Sequence, residues 1–331
     1  MRNGFVPPEP LRPIRRMGSL ACSTLAPGSR GNVVAATSSA IYLASTNDDL
    51  IWLATESVTL HRRGVQVVGP LPRLAPGAPY AVVGRRLDLG PRLAFDLSGA
   101  AAWYVAPLCR ERIPPLSLLA TRLSSAELWL ARLPGPAGFG LLLPRILGYL
   151  DTRPRPQPIT ETSPLLQRAW QAIRGICAAC LADDHPAALA GAQKLVGLGE
   201  GLTPSGDDFV GGLLYSLQRL WDAYAGLGPM QPQDLRQFLR NARPRTNLIS
   251  YTLLADHACG HASDALHQFV DALVTGRDRV QIERLAGRLV RVGHSTGWDL
   301  LTGVMLGVRS TCGAYSPHVP GEVRAARFLQ T

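Results

Sequence analysis

The chain changes character at one place. A proline-rich polar run, DTRPRPQPITETS at residues 151–163, separates a half broken every few residues from a half of long apolar helical patterns. Before it stand the β-rich runs Asn32–Ser45, Leu50–Ser57, Val65–Val68, Tyr80–Val83, Leu87–Leu89, Arg92–Leu97 and Ala101–Val105, punctuated by Gly, Pro, Asn and Asp. Strands this short dispose of their edges as a small β-barrel or a sandwich. Pro107–Gly148 is mixed, with a helix expected at Ser124–Arg132. After the run, Ser163-Pro164 opens a helix with a good cap residue and a proline in the first helical position. Further helices are expected near Pro186–Val196, Asp207–Ala223, Asp234–Asn241, Asn247–Ala258, Ala262–Thr275, Arg279–Val292 and Gly297–Val308. The expected fold class is therefore α+β, an N-terminal small β-barrel or sandwich-like domain followed by a mostly α-helical C-terminal domain. The expected divisions are a flexible arm at 1–18, a β-rich domain at 19–150, a linker at 151–163 and a helical domain at 164–331.

Composition removes several classes of function. Over 331 residues, 46% are apolar and 18% charged, which a disordered chain does not have. No run of 18 or more apolar residues is present, so no membrane partner is expected, and no signal-like apolar stretch opens the chain, so a cytoplasmic location is. The formal charge of +10 is spread without a basic-aromatic motif, so nucleic acid is not an expected partner. Among the 34 basic residues only Lys194 is a lysine. Arginine suits carboxylate and phosphate ligands. The cysteines are Cys22, Cys109, Cys177, Cys180, Cys259 and Cys312, and the CAAC pair Cys177/Cys180 falls in an apolar helical stretch that reads as core.

The helical half repeats a signature. Ser205-Gly206-Asp207-Asp208-Phe209-Val210-Gly211-Gly212 and Thr296-Gly297-Trp298-Asp299-Leu300-Leu301-Thr302-Gly303 share a hydroxyl, a glycine, an acid three residues after the hydroxyl, and a glycine four residues after the acid. The bland reading is a pair of capping boxes, with Gly212 and Gly303 letting another helix come close. The sharper reading rests on GLGEGLTPSGDD, residues 197–208, which is richer than a cap requires. Glycines expose backbone amides, and with a helix start they make an anion cradle. Gly199, Gly201, Thr203, Ser205, Gly206 and Asp207 are accordingly candidate substrate- or phosphate-binding residues, and Asp208 a candidate acid or base. Asp207 and Asp208 together also suit a magnesium ion, although no lysine follows as in a Walker loop. Before the second helix, His294 is a candidate acid or base and Ser295, Thr296 and Gly297 candidate binders, with Asp299 the second catalytic candidate. Arg245 with Thr246 and Asn247 is a candidate carboxylate clamp and helix cap. Asp256, His257, His261, Asp264 and His267 have metal-like spacing, but Gly260 breaks the helix between the histidines and no metal site is expected there.

Three segments in order, GLGEGLTPSGDDFVGGLL, RTNLIS and VGHSTGWDLLTGVMLGV, resemble the uncharacterised-domain family that includes the AllH subunit of oxamate carbamoyltransferase from bacterial allantoin catabolism. The resemblance extends over about residues 20–310, more weakly in the N-terminal half, where LAFDLSGAAAWYVAPL carries it. Thr246-Asn247 departs from the two threonines of the family pattern. The resemblance implies a subunit of a three-subunit enzyme that interconverts oxalurate plus phosphate with oxamate plus carbamoyl phosphate. It implies small anionic substrates and partner subunits; no cofactor is certain from the sequence, and magnesium is a candidate. Two alternatives stand beside it: a magnesium-dependent phosphoryl-transfer enzyme using Asp207 and Asp208, and a non-catalytic scaffold subunit.

Overall fold

The computed structural model describes residues 11–90, 93–123, 126–151 and 163–314. Contacts divide the chain into two compact units, one ending at Ala106 and the other starting at Pro107.

The first unit is a closed barrel. Its strands are β1 (Arg12–Gly18), β2 (Arg30–Ala36), β3 (Ala40–Ser45), β4 (Leu50–Ala54), β5 (Gly64–Val67), β6 (Pro79–Val83), β7 (Arg86–Leu89), β8 (Leu93–Asp96) and β9 (Ala101–Trp103), with a short helix, α1 (Ser19–Thr24). The order β5-β4-β3-β2-β6-β7-β8-β1 is sealed by β5 pairing with β1, and β9 adds outside the ring against β1. Period-two alternation puts Ile41 and Leu43, Ile51 and Leu53, and Leu87 and Leu89 into one core with Val65 and Phe95. Closure leaves the eight-stranded ring itself without an open edge, which suits strands of four to seven residues. The long run expected at Asn32–Ser45 is a hairpin, β2 and β3, in antiparallel register.

Two boundaries differ from expectation. Residues 12–18 are no loose arm: they form β1, which pairs with β5, β8 and β9. Ile14 and Met17 are buried there while the arginines face out, a pattern masked by charge in the sequence. A side chain at Gly18 would put its Cβ 2.2 Å from the His61 carbonyl oxygen, so the strand passes its neighbour too closely for any other residue. The β-rich domain also ends at Ala106 and not at 150. Residues 107–150 supply α2 (Leu116–Leu123), α3 (Ala126–Leu130) and α4 (Leu143–Leu150). Leu119, Leu123, Trp129 and Leu147 lie in one core of the second unit, and Phe139, Leu142, Ile146 and Leu150 in its other. Residues 152–162 of the expected linker lie outside the described residues.

The rest of the second unit is α5 (Pro164–Leu181), α6 (His185–Gln193), α7 (Ser205–Ala223), α8 (Pro232–Ala242), α9 (Leu248–Ala258), α10 (Asp264–Val274), α11 (Arg279–Leu289) and α12 (Thr296–Ala314). Pro164 occupies the first turn of α5 as expected, though Ser163 makes no side-chain cap. Cys177 is buried in α5 and Cys180 half-buried, both as free thiols. At the centre, α7 and α12 run side by side in the same direction. A Cβ on Gly212 would sit 2.2 Å from the Leu300 carbonyl oxygen, and one on Gly303 2.0 Å from that of Phe209. These contacts exchange under the repeat, since Gly212 matches Gly303 and Phe209 matches Leu300. The twin signature is thus a local two-fold, written in glycines that let two backbones touch. No helix among the described residues is long and apolar enough to cross a membrane.

Candidate functional site

The two helix starts converge. The Thr203 and Thr296 hydroxyls are 3.0 Å apart, and those of Ser205 and Ser295 3.5 Å. Beneath them lie Asp208, 4% exposed, and Asp299, fully buried. Neither acid closes a capping box in the manner expected. Pro204 is the N-cap of α7 and makes no side-chain bond. Asp299 instead accepts a 2.6 Å hydrogen bond through Oδ1 from the backbone amide of Phe139. Oδ2 of Asp208 and Oδ2 of Asp299 are both buried with no hydrogen-bond partner among the described residues.

Burial first, then the neighbouring Asp299, raises Asp208 well above the usual carboxylate range, against the pull of the Thr296 and Thr203 hydroxyls. Burial pushes Asp299 up to about 6, while the Phe139 amide and the Ser205 and Ser295 hydroxyls hold it down. The meeting of two helix N-termini, each presenting about half a positive charge, adds to these hydrogen bonds in favouring the charged forms.

A third arm was not foreseen. Gly138, at φ +54°, turns the chain so that Phe139 reaches Asp299, and a Cβ on Gly138 would lie 2.3 Å from Asp299 Oδ1. The signal was in the sequence, as the run Pro134-Gly135-Pro136-Ala137-Gly138-Phe139-Gly140, but nothing tied it to a helix start 160 residues later.

Asp207 points elsewhere. Its Oδ1 accepts from the Gly197 amide at 2.7 Å, and its Oδ2 takes the hydroxyls of Ser250, at 2.6 Å, and Thr246. It latches the glycine loop to α9, so it is no partner of Asp208 on a magnesium ion, and the pairing expected for phosphoryl transfer is not formed. Ser250 was missed as its partner. Asn247 caps α9 through the Ser250 amide and also donates to the Leu202 carbonyl. Gly206 presses on the Leu195 carbonyl, and its amide is taken by Leu198, so it is not free for a ligand; Gly297 presses likewise on Leu289.

Gly199 and Gly201 have φ of +125° and +91°, and the amides of residues 199–203 donate to no group among the described residues. Nearby, Gly197, Pro204, Pro244, Arg245, Thr246 and Asn247 line an open groove of ≈ 350 Å³. Arg245 is exposed there. His294 is exposed and makes no hydrogen bond or ion pair with either carboxylate, so the structure does not join it to the pair.

The histidine run makes no metal cluster: among the described residues no three His, Cys, Asp or Glu side chains converge on one. His257 is buried against the Tyr215 ring, and His267 bridges the Tyr215 hydroxyl at 2.5 Å and Asp271 at 3.1 Å.

The segment that carries both helix starts, from the glycine loop through the end of the second motif, is also the segment that a family model matches. Residues 195–308 match the family model of the oxamate carbamoyltransferase subunit AllH. The AllH match takes in all three recognised motifs and both carboxylates. It does not reach the barrel or Gly138, so the weaker likeness read over the N-terminal half is not part of it. Comparison with curated proteins and with solved structures found no match.

Proposed function

We propose that this chain is a subunit of a carbamoyltransferase that interconverts oxalurate plus phosphate with oxamate plus carbamoyl phosphate, and that the α7/α12 corner is its substrate site. The observation that carries the reading is that the AllH-matching segment brings its two separated motifs together on one buried carboxyl pair under four hydroxyls. In that reaction a phosphate oxygen attacks the carbamoyl carbon of oxalurate, the carbon–nitrogen bond breaks, and the proton of hydrogen phosphate ends on the departing amide nitrogen. Charge develops on the carbamoyl oxygen, which backbone amides stabilise when they are aimed at it. The donors of residues 199–203 and the exposed Arg245 suit the anionic ends of both substrates. The acid pair and its hydroxyls suit the amide nitrogen, as acceptors and as a proton store.

The test is co-expression with the partner subunits and measurement of carbamoyl phosphate formed from oxalurate and phosphate. Phosphate-dependent formation supports the reading; a purified, stable assembly that forms none ends it.

A second reading has one observation in its favour. The carboxyl pair is sealed, so the chain can also serve as a non-catalytic subunit whose motif fixes its own fold. Alanine at Asp208 and Asp299 would then spare turnover of the assembled complex.

A further inference from the structure

Two buried carboxyl groups at a site read as binding an anionic substrate need a counter-charge if both are to be ionised. Among the described residues no salt bridge joins Asp208 or Asp299 to a basic side chain; hydroxyls act on both, the Phe139 amide on Asp299, and the charges of Asp299 and Asp207 on Asp208. Two helix N-termini supply at most about one positive charge between them. The Oδ2 atoms belong to residues 4% and 0% exposed, and neither has a hydrogen-bond partner among the described residues. An orphaned carboxylate oxygen so deeply buried is expensive, and two facing one cluster are more so.

We propose that Asp208 and Asp299, with the hydroxyls of Thr203, Thr296, Ser205 and Ser295, enclose a hard divalent cation. The donor set is all oxygen: two carboxyl groups and four hydroxyls, which falls within the six to eight oxygens that calcium takes. Two positive charges balance two carboxylates. The hydroxyls stand in pairs 3.0 and 3.5 Å apart, one pair acting on each acid. This inference rests on the substrate-site reading only for its use: the ion would turn an anion-repelling corner into one that draws phosphate or carboxylate to the rim. The ion's presence does not depend on which reaction the chain serves.

Trp298 adjoins Asp299 and is buried with it, which supplies a reporter. The full-length chain, stripped with a chelator, is titrated with terbium while tryptophan-sensitised emission is read. Expected are saturable emission, its displacement by excess calcium or magnesium, and a melting temperature several degrees higher with the effective ion. Comparison of the two ions identifies the natural class. Asp208→Asn and Asp299→Asn should each remove the emission, and Asp278→Asn, a surface cap on α11, should keep it. Wild-type chain that shows neither saturable emission nor a thermal shift with either ion overturns the proposal, as does emission that survives both asparagine substitutions in folded protein. A melting shift with sodium or potassium alone overturns the divalent assignment. Because no substrate is present, failure here leaves the carbamoyltransferase reading intact, and loss of that reading leaves the cation site intact.

Discussion

Asp207 and Asp208 are adjacent and do different work, and the difference lies in which face of one helical turn each occupies. Asp207 accepts three hydrogen bonds, from Gly197, Thr246 and Ser250, and all of its partners are main-chain or hydroxyl groups. Asp207→Ala would leave those donors buried or half-buried and unmatched. A loss of about 3 kcal/mol is expected in denaturant unfolding, with looser protection of the glycine loop in hydrogen exchange. His257 carries a second, pH-linked expectation. Burial lowers it to about 4 from 6.5, with Asp256 opposing. The native state therefore resists a proton that the unfolded chain accepts. Its contribution is whole above about pH 6.5 and is lost as pH falls toward 4. A shift of that size corresponds to roughly 3 kcal/mol across the window. His257→Gln should flatten that part of the stability–pH curve; a curve unchanged between the two proteins would remove the assignment.

The helix pair α7/α12 is held by absence of side chains. Gly212 and Gly303 each face a carbonyl oxygen of the other helix at 2.2 and 2.0 Å from where a Cβ would stand, and Gly206 and Gly297 press likewise on Leu195 and Leu289 beside the helix starts. Gly303→Val must separate the two helices, and a cost of about 3 kcal/mol or more is expected in thermal or denaturant unfolding. The same change should release the Thr203–Thr296 and Ser205–Ser295 contacts, so substrate binding would fall along with stability. Gly138→Ala acts on a different strut: it carries both the positive φ and the contact with Asp299. How far the elements were legible follows from the same physics. The helices from Asp207 onward were placed within a few residues, apart from the end of α12, which runs six residues past Val308 to Ala314, because caps and prolines mark their ends and three or four apolar positions per two turns mark their faces. The meeting of the twin motifs was expected because two glycine-acid helix starts of one pattern imply one packing solution. The Phe139 contact was illegible, since a backbone amide leaves no residue type to notice. β1 was hidden because four of its seven positions are Arg or Pro, residue types that read as a solvated arm.

In the whole molecule each unit holds its own hydrophobic core, one in the barrel and two that adjoin among the helices. Residues 107–331 should therefore unfold cooperatively when expressed without the barrel, as seen by far-UV circular dichroism during heating; a molten, non-cooperative fragment would contradict this. The barrel lies outside the AllH-matching segment, while the carboxyl pair lies within it. The account stands on that pair. The most direct measurement is turnover of oxalurate and phosphate to carbamoyl phosphate by the co-expressed assembly carrying Asp208→Asn or Asp299→Asn, with assembly and folding verified. A fall of about 100-fold or more is expected for each. Wild-type rates in either variant would contradict the placement of the site at the α7/α12 corner.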